Sequence, residues 1–206
     1  MVQASFFHGS FYIGTRYGFR AQTDATMVGY GRFSVHLGEC GISELSGFRV
    51  AGAIRQLQGQ CRSMSGATAA RPLRPGDRAA LLALDAAAFG AERTTLLDRL
   101  IQEGRTMVLG APQAVTGFAI RRKFGRGEVI GPVVAASETD AIELVSALAG
   151  PGFLRIDVPV TATCLMTWLA DSGLVDAGGV TIMVRGVWPA VSAQTQRFAL
   201  VSQALG

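Results

Sequence analysis

Residues 126–148 read RGEVIGPVVAASETDAIELVSAL, and the spacing of apolar residues changes partway through them. Val129, Ile130, Val133 and Val134 are β-branched residues in a short apolar run, which predicts a buried strand over Glu128–Ala136. Ile142, Leu144, Val145 and Leu148 then recur at helical spacing, which predicts a helix from Thr139 to about Leu148. Ser137 followed by Asp140 is a Ser-x-x-acid start signal, so the helix begins just after Ser137. A strand that runs directly into a helix N-terminus is a place where backbone N–H groups can hold an anion.

The whole chain has 206 residues, enough for one large domain or one domain with a partial second. With 49% hydrophobic and 17% charged residues it can bury a core and is not of disordered composition. The net charge is +4, yet only Lys123 among the 19 basic residues is a lysine, and the arginines are scattered. No basic stripe interleaved with aromatics appears, which argues against a nucleic-acid partner. Cys40, Cys61 and Cys164 are odd in number and widely spaced, which excludes a disulfide scaffold and fits a reducing compartment. With His8 and His36 as the only histidines, a structural zinc site or a Ser-His-Asp triad has little to draw on, and no metal is expected. No apolar run reaches membrane-span length and the start lacks a signal-peptide pattern, so the expectation is a cytoplasmic protein with no membrane partner.

Residues 1–70 settle into no single period. Phe11–Phe19 is aromatic and short, Ala25–Val35 reads as a strand interrupted by Gly29 and Gly31, Arg49–Gln58 as a short helix, and Gln60–Ala70 as a flexible linker. From Arg71 the pattern sharpens: a short strand at Arg71–Arg74, Asp77 as N-cap of a helix to Phe89, Gly90 as its stop, and a second helix over Glu92–Glu103. Thr106–Leu109 and Val115–Phe124 read as strands, joined through Gly125-Arg126-Gly127 to the central strand. That turn is too short for a parallel crossover, so those two strands are antiparallel. After the central helix come a strand at Phe153–Val158, a helix at Cys164–Ser172, a strand at Val180–Arg185, and a tail, Ala190–Leu205, that reads as a short amphipathic helix carrying Phe198, Leu200, Val201 and Leu205. The order from Arg71 is strand, helix, helix, three strands, helix, strand, helix, strand, which makes a mixed α/β sheet, mostly antiparallel and flanked by helices.

That order, together with RPLRPGDRAALLALDAAAFGAERTTLL (71–97), GEVIGPVVAASETDAIELVSAL (127–148), LRIDVPV (154–160), MVRG (183–186) and RFALVSQALG (197–206), resembles the C-terminal, diverged domain of tandem GNAT acetyltransferases. FYIGTRYGFRAQTD (11–24) is similar to the end of a GNAT domain, so the resemblance implies residues 1–70 as the remnant of a first domain plus linker and residues 71–206 as a GNAT-like domain.

The resemblance implies acetyl transfer from acetyl-CoA to a small amine. In the family a turn of backbone N–H groups after the central strand holds the CoA pyrophosphate, a splayed strand pair orients the thioester, and a general base lets the amine attack. The matching turn here is VVAASETD (133–140), where the family writes Arg/Gln-x-x-Gly-x-Gly/Ala. It has no glycine and no arginine, and Glu138 and Asp140 put negative charge where the pyrophosphate would sit. The cofactor-binding positions this implies are Val133, Val134, Ala135, Ala136 and Ser137, with Arg121 and Arg122 of the cluster Arg121, Arg122, Lys123, Arg126 as further candidates for a phosphate or an acidic substrate.

Asp157, near the C-terminal end of a strand, is a candidate base or substrate anchor, or a carboxylate held by backbone N–H groups before Pro159. Arg155, two residues away, shares its side of the strand and is a candidate substrate residue or the partner of Asp157. Glu128 is a second candidate base and Cys164 a candidate groove residue; Met166 and Trp168 read as core. No tyrosine follows Tyr30, so the tyrosine acid common in the family is absent from this part. The expected function is a GNAT-type N-acyltransferase in which this chain supplies the diverged, substrate-side half. The alternative is a non-catalytic GNAT-like domain for ligand binding or homodimerisation.

Overall fold

The computed structural model describes residues 27–31, 48–62, 68–125, 127–187 and 191–203. Its elements in chain order are β1 (Met27–Gly31), β2 (Phe48–Cys61), β3 (Arg71–Pro72), a 3-10 turn (Pro75–Asp77), α1 (Arg78–Phe89) and α2 (Thr94–Glu103). They continue with β4 (Arg105–Ala111), β5 (Ala114–Phe124), β6 (Gly127–Ala135), α3 (Glu138–Leu148), β7 (Gly152–Pro159), α4 (Thr163–Asp171), β8 (Val175–Arg185) and β9 (Gln196–Ala199). From Arg71 to β8 this is the expected order.

The strands form one open sheet in the order β1-β8-β2-β7-β6-β5-β4-β3, with β9 attached to β6 off that path. Every pairing is antiparallel except β6 with β7. Central β6 is buried from Val129 to Ala135, as a β-branched run predicts for a strand covered on both faces. One face carries α3 and α4 over Ile130, Val133, Leu154, Ile156 and Val158; the other carries α1 and α2 over Val108, Phe118, Ile120 and Val134. Met166 and Trp168 pack against the first core, as expected.

The start of α3 follows its signal: the Asp140 backbone N–H donates to Ser137 Oγ at 3.1 Å. Gly90 closes α1 in the left-handed conformation, φ 86°. Asp77 lies at the N-cap of α1, but its carboxylate does not cap that helix. It accepts instead from Arg71 Nη1 at 2.6 Å, Arg71 Nη2 at 3.0 Å and the backbone N–H groups of Arg74 and Gln113, both at 2.9 Å. It thereby ties β3, the 3-10 turn and the β4–β5 turn together.

Those donors hold the Asp77 carboxyl well below the usual carboxylate range, Arg71 contributing most. A depressed folded-state pKa makes the stabilisation complete above the unfolded aspartate value of about 3.9, with loss as pH falls below it. We therefore expect Asp77→Asn to lower the melting temperature at neutral pH. The loss of melting temperature on acidification to about pH 3 is expected to be smaller in that variant than in the parent chain, as thermal melts across pH will show.

Two sequence expectations are corrected. Arg49–Gln58 is not a helix: the whole of Phe48–Cys61 is strand β2, seated between β7 and β8 and antiparallel to both. With a strand partner on each side the backbone groups are satisfied laterally, and Ile54, Leu57 and Cys61 reach the core, so tertiary pairing overrides local helix preference. The tail is not an amphipathic helix either: Gln196–Ala199 is strand β9. Phe198, Ala199, Leu200 and Val201 are all buried, which a one-sided helix would not achieve. The sheet also crosses the boundary drawn at Arg71, because β1 and β2 precede it. The expectations for Phe11–Phe19, the GNAT-like end at Tyr17-Gly18-Phe19, most of Ala25–Val35, and Arg126 lie outside the described residues.

Candidate functional site

β6 and β7 leave the hairpin end side by side, pairing in parallel at Glu128 with Leu154 and Val129 with Arg155. Their recorded pairing stops there. Farther along, β6 takes β9 as its neighbour, with Val133 opposite Ala199, Val134 opposite Arg197 and Ala135 opposite Gln196. The next residue reaches the other wall: the Leu200 N–H donates to the Asp157 carbonyl of β7 at 2.9 Å. A splay between two parallel strands is therefore present, and the chain's own last described strand lies in it.

The close approach is visible at Gly131, where a Cβ would stand 1.9 Å from the Leu200 carbonyl oxygen. The segment is tied at several further points. The Ser192 N–H donates to the Ala87 carbonyl at 2.8 Å, and the Arg197 guanidinium lies 4.9 Å from the Phe89 ring centre. Arg122 Nη2 donates to the Val201 carbonyl at 2.6 Å, and Gln203 Nε2 to Gln56 Oε1 at 3.4 Å.

The turn beyond β6 holds the expected cofactor positions. Val133, Val134 and Ala135 are buried with their edge engaged by β9; Ala136 and Ser137 are exposed. Ser137 Oγ occupies the first turn of α3, with Glu138 and Asp140 beside it. Glu138 Oε2 accepts from the Leu165 N–H at 2.8 Å, so its negative charge bridges α3 to the start of α4. These residues do not fit an acyl-CoA in the slot. The β6 edge has a strand on it, no glycine opens the turn, and the helix start is already capped and acidic.

Asp157 and Arg155 form the ion pair foreseen as one alternative, Nε to Oδ1 at 3.1 Å and Nη2 to Oδ2 at 2.8 Å. Asp157 is fully buried, and burial pushes its carboxyl above the usual range; Arg155 chiefly, then the Gln203 backbone N–H and the Arg122 charge, pull it back. Gln56 stands directly opposite Asp157 and Gln58 opposite Arg155, with Gln56 Nε2 donating to Gln58 Oε1 at 2.8 Å. Both Asp157 carboxylate oxygens are thus held by one guanidinium, so neither stands open as a base in this arrangement.

Glu128 is ion-paired with Arg121, whose Nη1 also donates to the Leu148 carbonyl at the end of α3. Glu128, Arg121 and Arg122 come together with Glu103, Arg105 and Lys123 around a cleft of about 570 Å³. Arg122 is 8% exposed, and burial lowers its pKa. Its guanidinium and that of Arg155 flank the Phe124 ring at 5.5 and 5.1 Å. Cys164 is exposed in the first turn of α4. That helix packs on the face presented by Leu154, Ile156 and Val158, so Cys164 and Arg155 lie on opposite sides of the sheet.

Sequence reasoning missed β9, the three glutamines and the buried Asp85–Arg93 pair (Oδ2 to Nε, 2.7 Å). The run RFALV (197–201) did carry a signal for β9, because an apolar stretch without helical period suits a short strand buried on both faces. Among the described residues no group of His, Cys, Asp and Glu could hold a metal ion, and no helix is long and apolar enough to cross a membrane.

The N-acetyltransferase YitH of Bacillus subtilis, itself uncharacterized, is 29% identical over 172 residues, which cover 79% of this chain and 60% of YitH. The chain thus spans well under two thirds of that relative. A protein of Pyrococcus horikoshii assigned to the acetyltransferases superposes with a TM-score of 0.66 at 14% identity, covering 88% of this chain and 60% of that one. A GCN5-related N-acetyltransferase from Sphaerobacter thermophilus gives 0.54 at 16%, covering 82% and 63%. At these identities the superpositions show a shared fold. The family model for the GNAT acetyltransferase domain matches residues 81–199, more than half the chain, and the chain belongs to that family.

Proposed function

We propose that this chain is the diverged, substrate-side or partner half of a GNAT-type N-acyltransferase, with acetyl-CoA held by another GNAT half and delivered to a small amine. The observation that carries the reading is the position of β9, which takes the β6 edge and bridges to Asp157 of β7. An acyl donor laid along β6 would have to displace β9 and the residues after it, of which 198–201 are all buried. The acidic, capped start of α3 supports the same conclusion, because negative charge at a helix N-terminus competes with a pyrophosphate.

The same observations favour, as a second reading, a non-catalytic GNAT-like domain that binds a ligand or a second copy. Both readings predict the same first result. Calorimetric titration of the purified chain with acetyl-CoA is expected to give no saturable heat up to about 1 mM, an affinity worth only about −4 kcal/mol. Saturable micromolar binding would overturn the assignment of the donor to another half.

A further inference from the structure

At the hairpin end of the sheet, Arg105 of β4 stands directly opposite Arg121 of β5, and Lys123 of β5 directly opposite Glu128 of β6. Residues opposite one another share a face, and so do residues two apart along a strand, so these four side chains project from the same face. Arg122 and Glu103 complete the lining of the cleft of about 570 Å³.

Three cations on this face, Arg105, Arg121 and Lys123, meet one carboxylate, Glu128, and both acidic residues of the lining are already engaged. Glu128 is paired with Arg121, and Glu103 Oε1 with Arg99 Nε at 2.7 Å. Arg105 and Lys123 are exposed and have no ion-pair partner among the described residues. Arg122, between Arg121 and Lys123 on β5, projects from the opposite face, where its Nη2 donates to the Val201 carbonyl, and adds no charge here. Like charges directly opposite on a sheet are destabilising unless a counter-charge lies between them. The cleft therefore concentrates a positive surplus of two charges in a space the size of a small ligand.

We infer that this cleft is a binding site for a doubly charged oxyanion, the phosphate group of a phosphomonoester, held between Arg105 and Lys123 beside the Arg121–Glu128 pair. A phosphate monoester carries close to two negative charges near neutral pH and three acceptor oxygens, which matches the surplus. The planar guanidinium fork of Arg105 suits its paired oxygens. A carboxylate would leave one cation uncompensated. The site is separate from the splay, since it lies at the Gly127 end of β6 and β9 lies at the Ala135 end.

The test is a titration of the full chain with inorganic phosphate and with phenyl phosphate at about pH 8, where phosphate is mainly a dianion, at fixed ionic strength against sodium chloride. Acetate serves as the monoanion control. Saturable binding below about 1 mM is expected for both phosphates, weakened about tenfold or more in Arg105→Gln/Lys123→Gln. Both substitutions are at exposed positions, and the unliganded double variant is expected to melt close to the parent, relief of the Arg105–Arg121 contact offsetting loss of Lys123 opposite Glu128.

A response no larger than that of chloride would overturn the proposal. So would acetate binding as tightly as phosphate, or phosphate binding undiminished in the double variant. None of these outcomes depends on whether acetyl-CoA binds, so this inference and the functional proposal stand or fall separately.

Discussion

A chain begun at Arg71 is expected to fail to fold cooperatively, although it retains every residue of the matched family segment, 81–199. The missing pieces are β1 and β2, the two neighbours of β8, and β2 carries the larger loss. β2 fills the gap between β7 and β8 and is hydrogen-bonded along both sides, and it brings Ile54 and Leu57 into the core at 1% and 3% exposure. Each such side chain contributes about 1.5–3 kcal/mol by burial alone. The truncation would also expose Leu154, Ile156 and Val180, leave β7 with an unpaired edge and leave β8 with no strand partner. Since a domain's whole stability is about 5–15 kcal/mol, this loss is large enough to abolish the folded state. Circular dichroism and urea titration of residues 71–206 against the full chain will show it. A cooperative unfolding transition in the short chain, with unchanged slope, would mean that β2 is an accessory rather than a core strand.

The second large effect is expected at the C-terminal strand. Phe198→Ala and Leu200→Ala should each cost about 2–5 kcal/mol, because both side chains are almost wholly buried, at 5% and 2% exposure, in well-packed surroundings. Phe198 sits in the α3/α4 core, while Leu200 packs with Ile54, Val180 and Ile182 on the other side of the sheet. β9 and the residue that follows it thus reach two separate clusters. A surface tail would tolerate both changes, as Val187→Ala should, that residue being 78% exposed and expected to shift stability by less than about 0.5 kcal/mol. Gly131→Ala should be damaging as well, since the added methyl would meet the Leu200 carbonyl oxygen and force β9 away from β6. Denaturant midpoints for the four variants provide the comparison.

How far these features were legible follows from where the determining contacts lie. The strand–turn–helix at 126–148 was readable because its evidence is local: a β-branched run, a Ser-x-x-acid start and apolar residues at helical spacing. The element order from Arg71 was readable for the same reason. β2 was not, because FRVAGAIRQLQGQC mixes small and polar residues whose conformation is decided by two neighbours, one about a hundred residues away and the other farther still. β9 was missed because its short apolar run was read as one side of a helix, and its partner strand comes from the middle of the chain. At the site, the ion pair of Arg155 with Asp157 was available from their spacing of two. The glutamines facing that pair could not be seen before β2 was known to be a strand.

Amide hydrogen exchange on the full chain, with and without acetyl-CoA at about 1 mM, tests the central claim directly, because it reads the β6 edge itself. β9 as a fixed occupant of the splay predicts slow exchange for Val133–Ala135 and for Gln196–Val201, unchanged by the ligand. Rapid exchange across Gln196–Val201, with protection at Val133–Ala135 appearing only when acetyl-CoA is added, would show that the splay opens to the donor after all.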